Sequence, residues 1–159
     1  MMKVDPITLS VVRGILETTQ REMTLSLEKT SRSSVLNLAR DYSTSLFNAT
    51  PEMILQGQDI PIHLGSLMPA MKAVANFFSG EIHEGDLILH NDPAYNGSHI
   101  LDMCIYKPVF FEGKHVFWTV CKGHLTDAGG PVPASYNPEA TEIFAEGLRV
   151  PPIKLWEKG

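Results

Sequence analysis

A histidine and an aspartate lie close together in two segments of this chain, Gly97-Ser98-His99-Ile100-Leu101-Asp102 and Lys122-Gly123-His124-Leu125-Thr126-Asp127. The residues between these segments are rich in the apolar, aromatic and β-branched types that favour strands. A short glycine-containing break, Glu112-Gly113-Lys114, interrupts them near the middle. The pattern therefore predicts one β-hairpin that carries a histidine at each of its two open ends.

The length of the hairpin loop sets which side chains face each other. If Glu112-Gly113-Lys114 forms a three-residue loop, Phe111 faces His115 and, further along the ladder, Asp102 faces His124. Directly opposed residues have Cβ atoms about 4.5–5.5 Å apart, which allows both side chains to bind one metal ion.

Other registers of the hairpin stay open. A two-residue loop would place Gly123 or Leu125 opposite Asp102, and a shift by one residue turns every side chain to the other face of the sheet. Pro108 cannot donate a hydrogen bond to the ladder, so a bulge near it would change the register again.

The candidate metal site also includes His99, which lies just before the first strand and could fold back towards the same ion as Asp102 and His124. Imidazole and carboxylate groups are common ligands of transition-metal ions. The alternative interpretation is that His99 and His124 are polar loop residues at the two ends of the hairpin.

The composition is typical of a single globular domain that comprises residues 1–159. Hydrophobic residues make up 43% and charged residues 19% of the chain. A net charge of −5 argues against nucleic acid as a partner, and no apolar run approaches the ~18 residues of a membrane span. The chain begins without the apolar stretch of a secretory signal, and Cys104 and Cys121 would lie on opposite faces of the hairpin. We therefore expect a cytoplasmic protein without a disulfide.

The fold class predicted from the pattern of elements is α+β. Asp5 and Pro6 are a favoured N-cap and first residue of a long N-terminal helix. Its buried face would carry Leu9, Val12, Leu16, Thr19, Met23 and Leu27. Strands are expected at 41–47 and 87–90, a second helix at 66–78 with Ser66 as its N-cap, and a short helix at 139–146. Since strands and helices do not alternate regularly, we expect a mixed or antiparallel sheet that contains the metal-bearing hairpin.

The last residues carry an apolar pair, Leu155 and Trp156, after Pro151-Pro152. They form either a loose tail or a segment that the rest of a longer polypeptide, or another chain, covers.

Three further polar residues have two interpretations each. Asp41 at the start of a strand is typical of a surface ion pair or a turn cap. His63 lies between two apolar residues, where a histidine is more often structural than catalytic. Asp127 would cap the following loop or orient His124 as a neighbouring carboxylate. The chain contains neither a phosphate-binding glycine loop nor a G-x-S-x-G motif.

Six blocks distributed over the chain resemble the hydantoinase B family. They are Asp5-Pro6-Ile7-Thr8-Leu9, Gln58-Asp59-Ile60-Pro61-Ile62-His63-Leu64-Gly65-Ser66, Gly85-Asp86-Leu87-Ile88-Leu89-His90-Asn91-Asp92-Pro93, Gly97-Ser98-His99-Ile100-Leu101-Asp102, His124-Leu125-Thr126-Asp127-Ala128-Gly129-Gly130 and Glu146-Gly147-Leu148-Arg149-Val150-Pro151-Pro152-Ile153-Lys154-Leu155. The family includes the B-type subunits of N-methylhydantoinase, 5-oxoprolinase and caprolactamase, and the matching subunit of acetone carboxylase. Segments 118–121 and 122–127 resemble the caprolactamase branch most. Because family members are much longer, the resemblance implies that this chain is the N-terminal portion of a B-type subunit.

The resemblance implies a site for one divalent metal ion. Its ligands would be Asp41, His99, Asp102 and His124. Two imidazoles and two carboxylates suit Zn²⁺ or Mn²⁺ rather than Ca²⁺. Asp41 enters this set only through the resemblance. His63 or Asp127 would act nearby as an acid, a base or an orienting group.

The resemblance also implies a reaction that begins on a partner. A companion A-type subunit with an actin-like nucleotide fold would bind ATP and phosphorylate the oxygen of a small cyclic amide or ketone. The preferred hypothesis is ATP-dependent hydrolysis of a lactam, hydantoin or 5-oxoproline-type amide, in which a metal-activated water attacks the phosphorylated substrate. The alternatives are ATP-dependent carboxylation of a ketone such as acetone, and a non-catalytic assembly module whose metal only stabilises the fold. The remainder of the B-type subunit would be a further partner.

Overall fold

The computed structural model of this chain describes residues 4–58, 60, 62–133 and 137–159. Its helices are α1 (Pro6–Thr30), α2 (Ser34–Asn37) and α3 (Ile62–Phe77). Its strands are β1 (Tyr42–Asn48), β2 (Met53–Gln56), β3 (Leu87–His90), β4 (Asp102–Phe111), β5 (Lys114–His124) and β6 (Ile153–Trp156). Short 3₁₀ turns are formed by Pro93–Tyr95 and Ile143–Ala145.

The strands form a six-stranded sheet in the order β2-β1-β5-β4-β3-β6. Every neighbouring pair in this sheet is antiparallel. Together with the helices this confirms the predicted α+β class. Strands β2 and β6, at the two edges, were not among the predicted elements.

The hairpin β4–β5 has a shorter loop than the predicted one. Phe111 pairs with Lys114, so the loop contains only Glu112-Gly113. Both loop residues have positive φ, 49° and 73°, as the tightest hairpin turns require. The prediction of a three-residue loop is therefore wrong.

A β-bulge restores the register that places the two metal-ligand candidates opposite each other. Phe110 pairs with His115 but Val109 pairs with Phe117, so β5 contains one extra residue at this point. Beyond the bulge the ladder continues without interruption to the pair of Asp102 and His124. The predicted pairing of these two residues is confirmed.

The main hydrophobic core lies between α3 and one face of the sheet. It comprises Phe47, Leu67, Met71, Val74, Phe78, Ile88, Cys104, Tyr106, Trp118 and Val120. Because successive strand residues point to opposite faces, Asp102, Lys122 and His124 continue this face towards one end of the sheet. Helix α1 packs on the opposite face, where Thr24 Oγ1 lies 2.7 Å from Thr44 Oγ1.

The predicted buried face of α1 is wrong, since none of the residues of this helix is buried. Leu9 and Val12 are 58% and 45% exposed, whereas Leu16, Met23 and Leu27 are half-buried. A helix of 25 residues is about 37 Å long, whereas the seven residues of β1 span about 23 Å. The N-terminal half of α1 therefore extends beyond the sheet that its second half covers.

The N-terminus of α1 agrees with the prediction, because Asp5 is the N-cap and accepts a hydrogen bond from Thr8 N. Ser66 is not an N-cap, because α3 begins at Ile62 and Ser66 lies within it. The predicted short helix at 139–146 is a single 3₁₀ turn. Among the described residues, no helix is long and apolar enough to cross a membrane.

The C-terminal segment is not a loose tail, because β6 pairs with β3 at the edge of the sheet. Leu155 and Trp156 in this strand are 45% and 60% exposed. Cys104 and Cys121 are free thiols on opposite faces of the hairpin, as predicted.

Candidate metal centre

A cleft of about 530 Å³ lies at the end of the sheet where α3 begins. It is lined by Asp41, Ile62, His63, Ser66, Ser98, His99, Asp102, Lys122 and His124. The cleft therefore brings together five of the six site residues predicted from the sequence.

Three of these residues form a cluster whose potential ligand atoms all lie within 4.8 Å of one another: His99, Asp102 and His124. His124 Nδ1 lies 2.9 Å from Asp102 Oδ1, and the His99 and His124 rings stack with centroids 5.2 Å apart. Ligand atoms bound to one transition-metal ion at about 2.1 Å are at most about 4.2 Å apart. Small side-chain rotations therefore suffice for this set of nitrogen and oxygen atoms to fit one ion.

Backbone hydrogen bonds at the strand ends position the cluster. Asp102 N, at the start of β4, donates to His99 O at 2.9 Å and turns the preceding residues back towards the sheet. His124 N, at the end of β5, donates to Asp41 O at 2.9 Å. The same hairpin end thus holds residues from three separate parts of the chain.

The loop before His99 is fixed by contacts that the sequence did not reveal. Asp92 caps the following 3₁₀ turn, and its carboxylate also binds Arg149 through both oxygens at 2.8–3.0 Å. Asn91 Nδ2 donates to Ile100 O at 2.6 Å. At Gly97, a Cβ atom would lie only 2.2 Å from the carbonyl oxygen of Asn91. Only glycine fits this close approach.

Asp41 reaches the same cleft but lies outside the three-residue cluster. Its Oδ1 is 3.7 Å from His63 Nε2, and about a third of its side chain is exposed. It immediately precedes β1 and lines the cleft beside the cluster. Its place in the ligand set stays a prediction.

His63 is buried at the side of the cleft, on the first turn of α3. Its Nδ1 lies 3.0 Å from Ser43 Oγ, and its Nε2 faces Asp102 Oδ2 at 4.0 Å. Burial, followed by the charge of Lys122, lowers the pKa of His63, although the two nearby carboxylates oppose this shift. This shift favours the neutral form of His63 at pH 7.

Asp127 is the one predicted site residue that the structure does not bring to the cleft. It is exposed, and its Oδ1 accepts a hydrogen bond from Gly129 N at 2.7 Å. This contact matches the interpretation of Asp127 as a loop cap.

Sequence reasoning missed a buried lysine beside the cluster. Lys122 Nζ lies 3.1 Å from Asp102 Oδ2 and 2.8 Å from Ser66 Oγ, and it also binds Ser98 Oγ. Burial would raise the pKa of Asp102, but hydrogen bonds from Ser98 and His124 and the charge of Lys122 outweigh it and hold this pKa well below its usual value. Asp102 is therefore a carboxylate throughout the neutral range. The inward alternation of β5 was the only signal that could have identified Lys122.

Comparison with known proteins identifies the family. Residues 5–159 match the family model described as Hydantoinase B/oxoprolinase. The chain belongs to this family. The resemblance carried by the six sequence blocks is thus confirmed.

Two relatives illustrate how much of a longer protein this chain represents. It is 77% identical over 159 residues to caprolactamase subunit beta from Pseudomonas jessenii, covering 100% of this chain and 27% of that protein. It is 30% identical over 155 residues to 5-oxoprolinase 1 from Arabidopsis thaliana, covering 98% of this chain and 12% of that protein. The chain spans about a quarter or less of the length of these relatives.

Two solved structures share the fold. The crystal structure of the ATP-dependent caprolactamase from Pseudomonas jessenii matches with a TM-score of 0.92 and 76% identity, covering 99% of this chain and 27% of that one. The nucleotide-free structure of acetone carboxylase matches with a TM-score of 0.87 over 97% of this chain and 21% of that one. Its identity of 22% shows the common fold alone.

Proposed function

We propose that this chain forms the metal-binding part of an ATP-dependent hydrolase that opens small cyclic amides. The cluster of His99, Asp102 and His124 in an open cleft carries the proposal. The 77% identity to caprolactamase subunit beta supports a lactam as the substrate, and the similarity to a 5-oxoprolinase supports the wider class of cyclic amides.

The proposed ion is Zn²⁺ or Mn²⁺, held by the cluster with Asp41 as a fourth ligand. When bound, it supplies hydroxide at neutral pH because it lowers the pKa of water. The ligand set contains imidazoles and carboxylates but neither cysteine of the chain, a composition more typical of catalytic than of structural zinc sites.

The amide must arrive activated, because resonance makes its carbonyl carbon a poor electrophile. The sequence has no phosphate-binding glycine loop, so we assign ATP to an A-type partner subunit that phosphorylates the amide oxygen. The remainder of a longer B-type subunit would close the open side of the cleft around the activated substrate. This division places the phosphoryl transfer on one subunit and the ring opening on the other.

His63 is the proposed base and acid. With Nδ1 donating to Ser43 Oγ, the neutral ring presents a lone pair on Nε2, which faces the carboxylates of Asp41 and Asp102. Nε2 takes a proton from the water that attacks the activated carbon, and the two carboxylates stabilise the imidazolium that forms. His63 then gives this proton to the ring nitrogen as the carbon–nitrogen bond breaks. The product is an open-chain acyl phosphate, which a second water hydrolyses to phosphate and the amino acid.

A substrate panel tests the proposal. The full chain, with its A-type partner and ATP, is incubated with lactams, with hydantoins, and with ketones plus bicarbonate, while ADP formation and product masses are measured. We expect ring-opened amino acids from the cyclic amides, with lactams turned over fastest. Carboxylated products from ketones, with no turnover of amides, would overturn the proposal in favour of carboxylation.

Metal removal separates catalysis from assembly. Chelator treatment should abolish turnover without changing the far-ultraviolet circular dichroism spectrum, and Zn²⁺ or Mn²⁺ should restore it. An assembly module would instead lose its fold or its partner on chelation. Undiminished turnover of the metal-free protein would contradict the proposed role of the cluster.

A further inference from the structure

Lys122 is a buried cation, and each N–H bond of its ammonium group has a hydrogen-bond acceptor. The residue is only 2% exposed. Its Nζ reaches Ser66 Oγ, Ser98 Oγ and Asp102 Oδ2, three acceptors for three N–H bonds. Burying an ammonium group costs several kcal/mol unless it is paired and hydrogen-bonded. The three partners of Lys122 meet that condition, and they identify the groups that this cation can position.

The two oxygens of Asp102 have different partners. Oδ2 accepts from Ser98 Oγ at 2.6 Å and lies 3.1 Å from Lys122 Nζ. Oδ1 contacts His124 Nδ1 at 2.9 Å. Since a carboxylate oxygen accepts about two hydrogen bonds, Oδ2 is saturated, whereas Oδ1, with one hydrogen bond from the described residues, has room to bind an ion.

Lys122 also connects the hairpin to α3. Ser66 Oγ accepts from Lys122 Nζ and donates its own hydrogen to His63 O at 3.1 Å. His63 and Ser66 lie on the first turns of α3, whereas Lys122 lies on β5. One ammonium group thus fixes a metal-ligand candidate and the helix turn that carries His63.

We propose that Lys122 is a positioning residue of the metal centre: it occupies one oxygen of Asp102, so that this carboxylate offers a single oxygen to the ion, and it anchors the turn of α3 that presents His63. The inference rests on the metal site of the proposed function. Lys122 is not a nucleophile or a base here, because all three of its N–H bonds are engaged.

Cobalt(II) is the probe, because its visible absorption weakens as its coordination number rises. In the full chain with Lys122→Met, which keeps the length of the side chain without its charge, Asp102 Oδ2 becomes free to bind the ion. We expect one Co²⁺ per chain to remain bound, with a visible band that is weaker than in the wild type and shifted. With the A-type partner, kcat for the lactam should fall at least tenfold while KM changes less than threefold.

Lys154→Met is the matched control. Lys154 is also largely buried, with its Nζ 3.0 Å from Asp86 Oδ2, but it lies on β6 at the far edge of the sheet. This variant should lower thermal stability without altering the Co²⁺ spectrum or the ratio of kcat to KM. A Co²⁺ spectrum of Lys122→Met that superimposes on the wild-type spectrum, or an equal change in Lys154→Met, overturns the inference.

Two further variants keep the inference testable if Lys122→Met does not fold. Ser98→Ala removes one of the two bonds to Asp102 Oδ2 and should weaken the Co²⁺ band in the same direction, whereas an unchanged band overturns the inference. Lys122→Arg keeps a cation beside Asp102, so its Co²⁺ spectrum should lie closer to the wild type than that of Ser98→Ala. Wild-type chain that binds no Co²⁺ would overturn both this inference and the proposed metal centre, whereas an unmoved spectrum in the variants overturns this inference alone.

Discussion

Asp102 Oδ1 and His124 Nδ1 are joined by a hydrogen bond of 2.9 Å across the last pair of the β4–β5 ladder. Because a carboxylate can only accept, Nδ1 carries the proton in the metal-free protein. Two neighbouring ligand atoms of one transition-metal ion lie roughly 3 Å apart, so these two atoms already have the spacing that the proposed ion requires. Binding of that ion would displace the proton on Nδ1.

His99→Ala should remove the bound metal and leave the fold intact. The ring of His99 is half-buried, and within the described part of the chain its one ring contact is the stack on His124, so its loss changes the stability of the metal-free protein by about 0.5 kcal/mol or less. Elemental analysis after dialysis measures the metal, and thermal unfolding in chelator measures the fold. His124→Ala should lose the metal in the same way.

His83→Ala is the control for these variants, because His83 lies in the turn before β3 and outside the cleft lining. It should retain one ion per chain. If His99→Ala and His124→Ala also retain stoichiometric metal, the cluster is not the metal site.

Asp102→Ala should be the most destabilising change in the cleft, because it leaves the ammonium group of Lys122 buried without its counter-charge. Breaking a buried pair in this way costs about 3–5 kcal/mol. Urea unfolding in the presence of chelator measures the loss without any contribution from metal. Asp41→Ala, at a carboxylate that is about one-third exposed, should cost less than about 1 kcal/mol.

The double variant Asp102→Ala with Lys122→Met checks the cause of that destabilisation. Removing both charges eliminates the unpaired cation, so the double variant should be more stable than Asp102→Ala alone. If the double variant loses as much free energy of unfolding as the two single variants lose together, the two side chains do not interact.

The pairing of Asp102 with His124 could be predicted from the sequence, although the assumed loop was wrong. The sequence predicts a turn at Glu112-Gly113, but turn chemistry alone does not decide between two and three loop residues. The bulge opposite Val109 adds back the residue that the shorter loop removes. The shorter loop and the bulge shift the register by one residue in opposite directions, so Asp102 and His124 at the open end of the hairpin still pair as predicted.

Other features depend on tertiary contacts that periodicity does not encode. The apolar pattern of α1 predicts a buried face, yet only the half that crosses β1 and β2 has a sheet to pack against. The alternation of β5 places Lys122 on the core face of the sheet, where a charged residue is not expected. Its contacts with Ser66 and Asp102, which come from distant parts of the chain, account for its burial. The hairpin part of the cleft could be predicted from spacing and His63 only from the resemblance to the family, whereas the contact of Ser66 with Lys122 could not be predicted.

Gly97→Ala should weaken metal binding although Gly97 is not one of the proposed ligands. A Cβ atom at this position would lie 2.2 Å from Asn91 O, so the loop must move, and Ser98 and His99 move with it. Isothermal titration with Zn²⁺ should show an affinity at least tenfold lower than in the wild type. Gly113→Ala is a useful comparison, because its Cβ would meet nothing within 4 Å and its positive φ of 73° strains only the distant hairpin turn. Equal Zn²⁺ affinities in wild type and Gly97→Ala would contradict the close packing of this loop.

A substrate that is already activated should bypass the need for ATP. An O-aryl derivative of a lactam carries a good leaving group on the carbon that would otherwise need phosphorylation. The full chain should hydrolyse it without ATP or the A-type partner, because the cleft then has to supply only the attacking hydroxide and a proton. The ring-opened amino acid, quantified by mass spectrometry, measures the rate, because phenol is also released when the water adduct collapses back to the intact lactam. A chelator should stop the ring opening.

Three variants assign that activity to the cleft. His124→Ala should abolish hydrolysis of the O-aryl lactam because it removes the ion, and His63→Gln should lower the rate at least tenfold while the metal stays bound, since glutamine keeps a polar side chain but cannot pass a proton to the ring nitrogen. His83→Ala, at a partly exposed turn residue, should hydrolyse it at the wild-type rate. Equal hydrolysis by metal-free and metal-loaded protein would mean that the ion is structural and that the groups responsible for ring opening lie outside this cleft.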